Sequence, residues 1–251
     1  MAKEVTAIIL TLNEAAHVAD CIDSLRWADR IVVFDSYSED GTAVLAAEAG
    51  ADVAQSSFEN YAQQRNAALK YVEQTDWVFF VDADERCTPE LAAEIRDMIE
   101  NRPEKGWQVP RHNYIFGKMT LGAGWYPDYQ LRLFEYGAVH YERPVHELAA
   151  VAGEIGSLER PLVHYNYRDA AHFHEKQQKY TRYDVGILRN QGEQAKFYTP
   201  YSQAVRHFWW RYVTLSGYRI GWHGLRLSVL MGYYEFLKYR WLLEDRSALD
   251  L

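Results

Sequence analysis

The chain has 251 residues, enough for one large or two modest domains with a core that needs no cross-links. Its 27 Lys and Arg residues against 35 Asp and Glu residues give a net charge of -8, which argues against duplex nucleic acid as a partner. Cys21 and Cys87 form neither a metal-ligand spacing nor a disulfide framework, and no signal peptide opens the chain, so we expect a cytoplasmic protein.

The first apolar stretches of the chain end in polar residues. Residues 5–10 predict a strand, followed by Thr11-Leu12-Asn13-Glu14, where Asn13 is placed to cap a helix. Residues 30–35 predict a second strand that ends in Asp35 and a polar, glycine-containing loop. Both strand ends therefore carry candidate ligand-binding groups.

A central strand follows a third strand at residues 51–54 and a helix that begins at Asn60. It comprises the bulky run from Trp77 to Val81, whose lack of helical spacing predicts burial on both faces. Strands and helices alternate up to this point, so the right-handed crossover rule predicts an α/β fold with a mostly parallel sheet flanked by helices.

Three carboxylates follow the central strand directly, in Asp82-Ala83-Asp84-Glu85. Ligands bind at the carboxyl edge of open α/β sheets, and two aspartates there suit Mg²⁺ or Mn²⁺ that carries a substrate phosphate. The alternative is a solvated turn before a helix capped by Thr88. The glycine fingerprints of dinucleotide-binding and P-loop proteins are missing from the sequence, which disfavours both classes.

The pattern changes in the second half. Residues 106–163 predict short strands of a mixed sheet, and residues 170–190 predict a polar helix. Residues 205–243 are aromatic and basic, with too many charges for a membrane-spanning helix. This region suits a helix that lies in a membrane interface, or one that packs on protein.

Together these motifs resemble family 2 glycosyltransferases with the GT-A fold, and more closely the bacterial enzymes that add a hexose to the lipopolysaccharide core. The resemblance runs from about Val5 to Phe134 and continues less closely through Glu147. Its motifs are Thr11-Leu12-Asn13-Glu14, Asp35-Ser36-Tyr37-Ser38-Glu39-Asp40-Gly41-Thr42, Gln64-Arg65-Asn66, Asp82-Ala83-Asp84 and Pro127-Asp128-Tyr129-Gln130-Leu131-Arg132-Leu133-Phe134.

The resemblance implies transfer of a hexose, with glucose as the expected sugar, from a UDP-sugar to a glycolipid or saccharide with inversion at the anomeric carbon. It implies a Mn²⁺ or Mg²⁺ ion held by Asp84, with His146 as a further candidate ligand, and Asp128 as the general base. The residues that it implies for nucleotide-sugar binding are Thr11, Asn13, Glu14, Asp35, Arg65, Asp82 and Arg132.

Simpler roles remain open for several of these residues. Asp35 could be a loop acid, Arg65 an exposed helix charge, and His146 a structural histidine. Arg132 either assists the departing diphosphate or pairs with a nearby carboxylate. Pro127 stands where the family usually has a glutamate before the catalytic aspartate.

We expect a catalytic domain over residues 1–165, in which residues 1–101 bind the nucleotide-sugar and residues 102–165 face the acceptor. A helical extension follows over residues 166–251. One hypothesis is that this extension makes a peripheral contact with the inner face of the cytoplasmic membrane. The alternative functions are a sugar nucleotidyltransferase and an inactive nucleotide-sugar or carbohydrate-binding protein.

Overall fold

The computed structural model describes residues 2–142 and 148–247. In chain order its strands are β1 (Val5–Thr11), β2 (Arg30–Asp35), β3 (Asp52–Gln55), β4 (Trp77–Asp82), β5 (Glu85–Cys87), β6 (Gly106–Ile115), β7 (Lys118–Met119), β8 (Tyr129–Glu135), β9 (Val139–Glu142), β10 (Leu148–Val151), β11 (Ile155–Ser157) and β12 (Leu162–Tyr167). The α-helices are α1 (Val18–Ser24), α2 (Thr42–Glu48), α3 (Tyr61–Tyr71), α4 (Pro89–Asn101), α5 (Ala170–Asn190), α6 (Thr199–Trp209) and α7 (Gly221–Ser247).

The chain divides into two units that alternate along the sequence. The first unit comprises Met1–His112 and Asp128–His164, and the second comprises Asn113–Pro127 and Tyr165–Leu251. The residues that immediately precede Asp128 therefore belong to the second unit.

The first unit is built on a sheet with the strand order β3-β2-β1-β4-β8-β6-β12-β5. Strands β3, β2, β1 and β4 run parallel, as the alternation of strands and helices predicts. Strand β8 then pairs antiparallel with both β4 and β6, while β11 pairs parallel with β6. The predicted mixed second half of the sheet is confirmed.

Strand β4 is buried on both faces, as predicted. Phe79 and Val81 pack in one hydrophobic cluster with side chains of α1 and α4. Val78 and Phe80 pack in another, with side chains of α3. Burying side chains of this size stabilises the fold by about 1.5–3 kcal/mol each, so this strand fixes the position of the acids that follow it.

Two predicted helix starts are confirmed and one is wrong. Asn60 accepts a hydrogen bond from the Gln63 N–H, and Thr88 accepts one from the Leu91 N–H. Asn13 does not cap α1, which begins at Val18. Its backbone instead has a φ of 59°, a left-handed conformation that asparagine tolerates, and its side chain serves a different loop.

The second unit is mainly helical. Helix α5 has the predicted bounds, and a π-helical turn (Trp210–Thr214) and a 3₁₀-helix (Gly217–Ile220) connect α6 to α7. Its main apolar cluster contains Ile115, Tyr167, Phe173, Leu227 and Tyr234. Among the described residues, no helix is both long enough and apolar enough to cross a membrane.

Candidate active site

Polar side chains meet at the carboxyl edge of the parallel strands in the first unit. Thr11 at the end of β1 lies beside Asp35 at the end of β2, and Leu10 lies beside Asp82 at the end of β4. In-register parallel pairing brings these strand ends together, so residues far apart in sequence become neighbours.

The Asp35 carboxylate is fully buried and accepts four hydrogen bonds. Thr11 Oγ1 donates to Oδ1 at 2.9 Å and Gln55 Nε2 donates to Oδ2 at 3.1 Å. The Ser38 hydroxyl and N–H donate to Oδ1 and Oδ2 respectively. Burial raises the pKa of Asp35, but these hydrogen bonds outweigh it and hold the pKa below its ordinary value.

The loops after β1 and β2 are joined by further hydrogen bonds. The Asn13 N–H donates to Ser38 Oγ at 2.8 Å, and Asn13 Oδ1 accepts from the Glu39 N–H at 2.9 Å. The Glu14 N–H donates to Thr42 Oγ1 at 2.8 Å. Asn13 and Glu14 therefore take part in one polar surface with the loop that follows Asp35.

Asp82 is paired with Arg132. The two terminal nitrogens of Arg132 contact the two carboxylate oxygens of Asp82, and the Arg65 guanidinium lies 4.0 Å from Asp82 Oδ1. Burial favours the neutral form of Asp82, but the charge and hydrogen bonds of Arg132 outweigh it and hold the pKa well below its ordinary value.

Glu85 contacts both members of the Asp82–Arg132 pair. It is 0% exposed, and its Oε2 accepts the Asp82 N–H at 3.0 Å. Its Oε1 lies 3.0 Å from Arg132 Nη2 and 3.1 Å from Arg111 Nη1. A carboxylate buried without cations would be costly, so the two guanidinium groups explain its presence here.

Arg111 connects Glu85 to Asp128. Its Nη2 lies 2.7 Å and its Nε 3.0 Å from Asp128 Oδ2, while Gln130 Nε2 donates to Asp128 Oδ1 at 2.8 Å. The Arg111 N–H also donates to the Asp128 carbonyl at 2.9 Å. A continuous series of charged groups thus runs from Asp82 through Arg132, Glu85 and Arg111 to Asp128.

Asp84 lies beside a histidine of β12. Its Oδ2 is 3.4 Å from His164 Nε2, because antiparallel pairing of β5 with β12 sets His164 opposite Glu85. In the described part of the chain, no three His, Cys, Asp or Glu side chains gather as a metal cluster. His146, the ligand predicted alongside Asp84, lies outside the described residues.

The model of glycosyl transferase family 2 matches residues 6–137, which is more than half of the 251 residues. The chain belongs to this family.

Related proteins support this assignment. The glycosyltransferase is 29% identical over 246 residues to the lipopolysaccharide core biosynthesis glycosyltransferase LpsC of Rhizobium meliloti (strain 1021), covering 92% of this chain and 89% of LpsC. An uncharacterized glycosyltransferase of Rickettsia bellii (strain RML369-C) is 37% identical over 101 residues, which span 40% of this chain but 33% of that relative.

The crystal structure of S. aureus TarS 1-349 aligns with the glycosyltransferase at a TM-score of 0.50 and 14% identity. The alignment covers 94% of this chain and 91% of that one. At this identity the likeness concerns the fold alone, and the predicted GT-A architecture is confirmed.

Three residues of this glycosyltransferase site have no role among the residues predicted from the sequence: Glu85, Arg111 and His164. Glu85 follows Asp84 directly, and its complete burial was the missing information. Arg111 and His164 reach the site through antiparallel pairing of β6 with β8 and of β12 with β5. No spacing in the sequence indicates such pairings, because they join residues far apart in the chain.

Proposed function

We propose that this glycosyltransferase transfers a hexose from a UDP-sugar to a glycolipid or saccharide acceptor of the lipopolysaccharide core type, with inversion at the anomeric carbon. The acceptor class is supported by the relationship to LpsC over most of both chains. The chemistry is supported above all by the series of charged groups that joins Asp82, at the carboxyl edge of the parallel strands, to Asp128.

The donor nucleoside is proposed to lie against the loops after β1 and β2, which contain Thr11, Asn13, Glu14 and Asp35. Asp35 already accepts four hydrogen bonds, so accepting the uracil imide N–H requires one of these donors to move away. The Gln55 amide is the candidate, since its bond of 3.1 Å is the longest of the four.

Arg65 is proposed to contact the donor beside Asp82. Its guanidinium lies 5.0 Å from the centre of the Phe80 ring and 5.4 Å from that of Tyr141, so the two rings fix its position. A guanidinium held in this way is suited to a negatively charged diphosphate. An exposed helix charge would not be expected to stack on two aromatic rings.

Asp84 and His164 are proposed to hold the divalent ion. A carboxylate oxygen and an imidazole nitrogen 3.4 Å apart are a fitting pair of donors for Mn²⁺, while Mg²⁺ favours oxygen ligands. Asp82 fits less well, because both its oxygens already contact Arg132. When bound, such an ion neutralises negative charge on the leaving diphosphate.

Asp128 is proposed to be the general base. The acceptor oxygen forms its bond to the anomeric carbon as the bond from that carbon to the diphosphate oxygen breaks, and the hydroxyl proton passes to Asp128. UDP leaves with the bonding electron pair. Arg111 and Glu85 act as positioning residues, since bonds from both Nε and Nη2 of Arg111 orient the Asp128 carboxylate.

Arg132 is also proposed to be a positioning residue. Its side chain is 5% exposed and its terminal nitrogens are paired with Asp82 and Glu85. A direct contact with the leaving diphosphate would require it to give up these pairs. We therefore propose that Arg132 holds Asp82 at the end of β4 and acts on the donor through it.

Calorimetric titration of UDP with and without Mn²⁺ tests the donor and metal assignments. We expect binding to depend on Mn²⁺ and to weaken strongly in Asp84→Asn and His164→Gln, with GDP binding worse than UDP. The matched control is Asp23→Asn, an exposed carboxylate whose side chain is 84% exposed. Mn²⁺-independent UDP binding in the unchanged protein would overturn the metal assignment.

Mass spectrometry of the lipopolysaccharide core from cells with and without this chain tests the overall reaction. We expect the core of cells without it to lack the mass of one hexose. A core of unchanged mass would overturn the proposed acceptor class, even if UDP binding is retained.

A further inference from the structure

A long segment of the second unit contains no acidic residue. Residues 194–234 lack Asp and Glu entirely, although the whole chain has a net charge of -8. The basic side chains of this segment are Lys196, Arg206, Arg211, Arg219 and Arg226. All of them except Arg211 are exposed, so the segment presents positive charge to its surroundings.

Helix α6, within this segment, exposes an aromatic and apolar stripe. Tyr198 immediately before the helix, then Tyr201, Val205 and Trp209, follow each other at intervals of three or four residues and so share one face. Val205 is 69% exposed and Trp209 is 62% exposed. Side chains of this kind usually occur singly on the surface of a soluble protein, so a continuous row of them indicates a binding surface.

The opposite side of α6 is already packed. A Cβ at position 232 of α7 would lie 3.1 Å from the carbonyl oxygen of Ala204 and 3.4 Å from Cβ of Phe208. A glycine at this position allows α7 to approach α6 closely, and a larger residue would require the helices to shift slightly. Packing against α7 therefore uses the Ala204 and Phe208 side, together with the Tyr201 ring, whose centre lies 5.2 Å from that of Phe236. Val205 and Trp209 remain exposed.

Exposed aromatic side chains continue beyond the helix. Tyr218 in the 3₁₀-helix is exposed, and Trp222 in the first turn of α7 is 78% exposed. Arg219 lies between them and is exposed as well. Tryptophan and tyrosine beside Lys and Arg, in a segment without Asp or Glu, are typical of protein surfaces that lie in the headgroup region of a membrane.

From Glu235 onward, α7 contains acidic as well as basic side chains. Glu235 pairs with Lys238 at 2.7 Å, and Arg240 pairs with Glu244 at 2.7 Å. Basic groups neutralised in this manner attract an anionic surface far less than unpaired ones. The positive and aromatic surface is thus confined to α6, the turns after it and the start of α7.

We propose that the stripe of α6, with its surrounding arginines, binds the surface of a membrane that contains anionic lipids. The helix lies along the interface with Val205 and Trp209 at the boundary between headgroups and acyl chains and Arg206 among the headgroups. This contact goes beyond the transfer reaction, and it requires neither a donor nor an acceptor.

Flotation of the full-length protein with vesicles tests the proposal. We expect it to float with vesicles of phosphatidylglycerol and phosphatidylcholine at low salt, and to float poorly with phosphatidylcholine alone. Val205→Asp should lower the bound fraction at least about tenfold, and Arg206→Gln about fivefold. The matched control is Val44→Asp, since Val44 on α2 is 62% exposed, and it should bind like the unchanged protein.

Three results would overturn the proposal. The first is equal binding of Val205→Asp and Val44→Asp to the anionic vesicles, and the second is no binding of the unchanged protein at low salt. The third is a dimer in light scattering that Val205→Asp dissociates, which would assign the stripe to a second copy of the chain. UDP binding, measured on the same samples without lipid, reports separately on the proposed reaction.

Discussion

Arg132 in the first unit and Arg211 in the second are both withdrawn from solvent, yet their surroundings differ completely. Arg132 lies between the carboxylates of Asp82 and Glu85. Burial lowers its pKa, but the two negative charges outweigh burial and raise the pKa above its ordinary value.

Arg211 forms no ion pair within the described residues, although the charge of Glu235 acts on it. Its Nη1 donates to the Ala123 carbonyl at 2.6 Å, and its guanidinium lies 5.5 Å from the Trp125 ring centre and 5.8 Å from that of Trp210. Burial here prevails and lowers the pKa of Arg211 to about 10.

This difference indicates two ways to use positive charge in one chain. In the first unit, cations and carboxylates fix one another, so the proposed catalytic groups are held in place before substrate arrives. In the second unit, two aromatic rings and a carbonyl group surround Arg211, and among the described residues no ion pair joins it to a carboxylate. Removing Arg132 should therefore lower the free energy of unfolding more than removing Arg211.

Asp128→Asn should have the largest effect on transfer, because it removes the negative charge of the proposed general base. Asparagine keeps the shape but has no basicity, so we expect transfer to fall roughly 10²- to 10⁴-fold while UDP binding stays nearly unchanged. Single-turnover kinetics and calorimetry on the same preparation measure both quantities.

Asp97→Asn on α4 is the control for this variant, since Asp97 is exposed and has no role in the proposed reaction. Normal turnover of Asp128→Asn would contradict the role of general base and leave Asp128 with a structural role in the turn. Glu147, outside the described residues, would then be the next acid to test.

Arg132→Met and Arg211→Met test the comparison directly. The first leaves Asp82 and Glu85 near each other without their shared cation, and we expect a loss of about 3–5 kcal/mol in the free energy of unfolding. The second leaves one carbonyl without a donor, which costs about 1 kcal/mol. Urea unfolding followed by circular dichroism measures both, and equal losses would refute the distinction between the units.

The parallel half of the sheet was predictable because its signals are local. A strand buried on both faces is a run of bulky apolar residues, and a helix start is a single capping residue such as Asn60 or Thr88. The alternation of these elements then places Asp35 and Asp82 at one edge without further information.

The pairing of the charged groups was not predictable because it depends on register between distant strands. Arg111 faces Asp128 through the β6 and β8 pairing, and His164 faces Glu85 through the β12 and β5 pairing. A shift of one residue in either register would turn these side chains to the opposite face of the sheet. The failed Asn13 cap has a similar origin, since Ser38 and Glu39 of a neighbouring loop bind Asn13 instead.

Asp35→Asn changes a buried carboxylate of the first unit whose hydrogen-bond donors are neutral groups and not a guanidinium. The NH₂ group of asparagine would replace a carboxylate oxygen that accepts hydrogen bonds, and an NH₂ group cannot accept them. We therefore expect the free energy of unfolding to fall by about 1–3 kcal/mol at pH 7. Asp23→Asn, at an exposed position, should have little effect at any pH.

The pH dependence of the Asp35→Asn effect follows from the direction of the pKa shift. The folded-state pKa of Asp35 lies below its value in the unfolded chain, which is about 3.9. Its contribution to stability is therefore complete above the unfolded-state pKa and disappears as the pH falls through the folded-state pKa. The difference in Tm between the unchanged protein and Asp35→Asn should be constant from pH 7 to about pH 5 and shrink below about pH 4. A difference that stays constant down to pH 3 would mean that the shape of the Asp35 side chain, and not its charge, supports the loop.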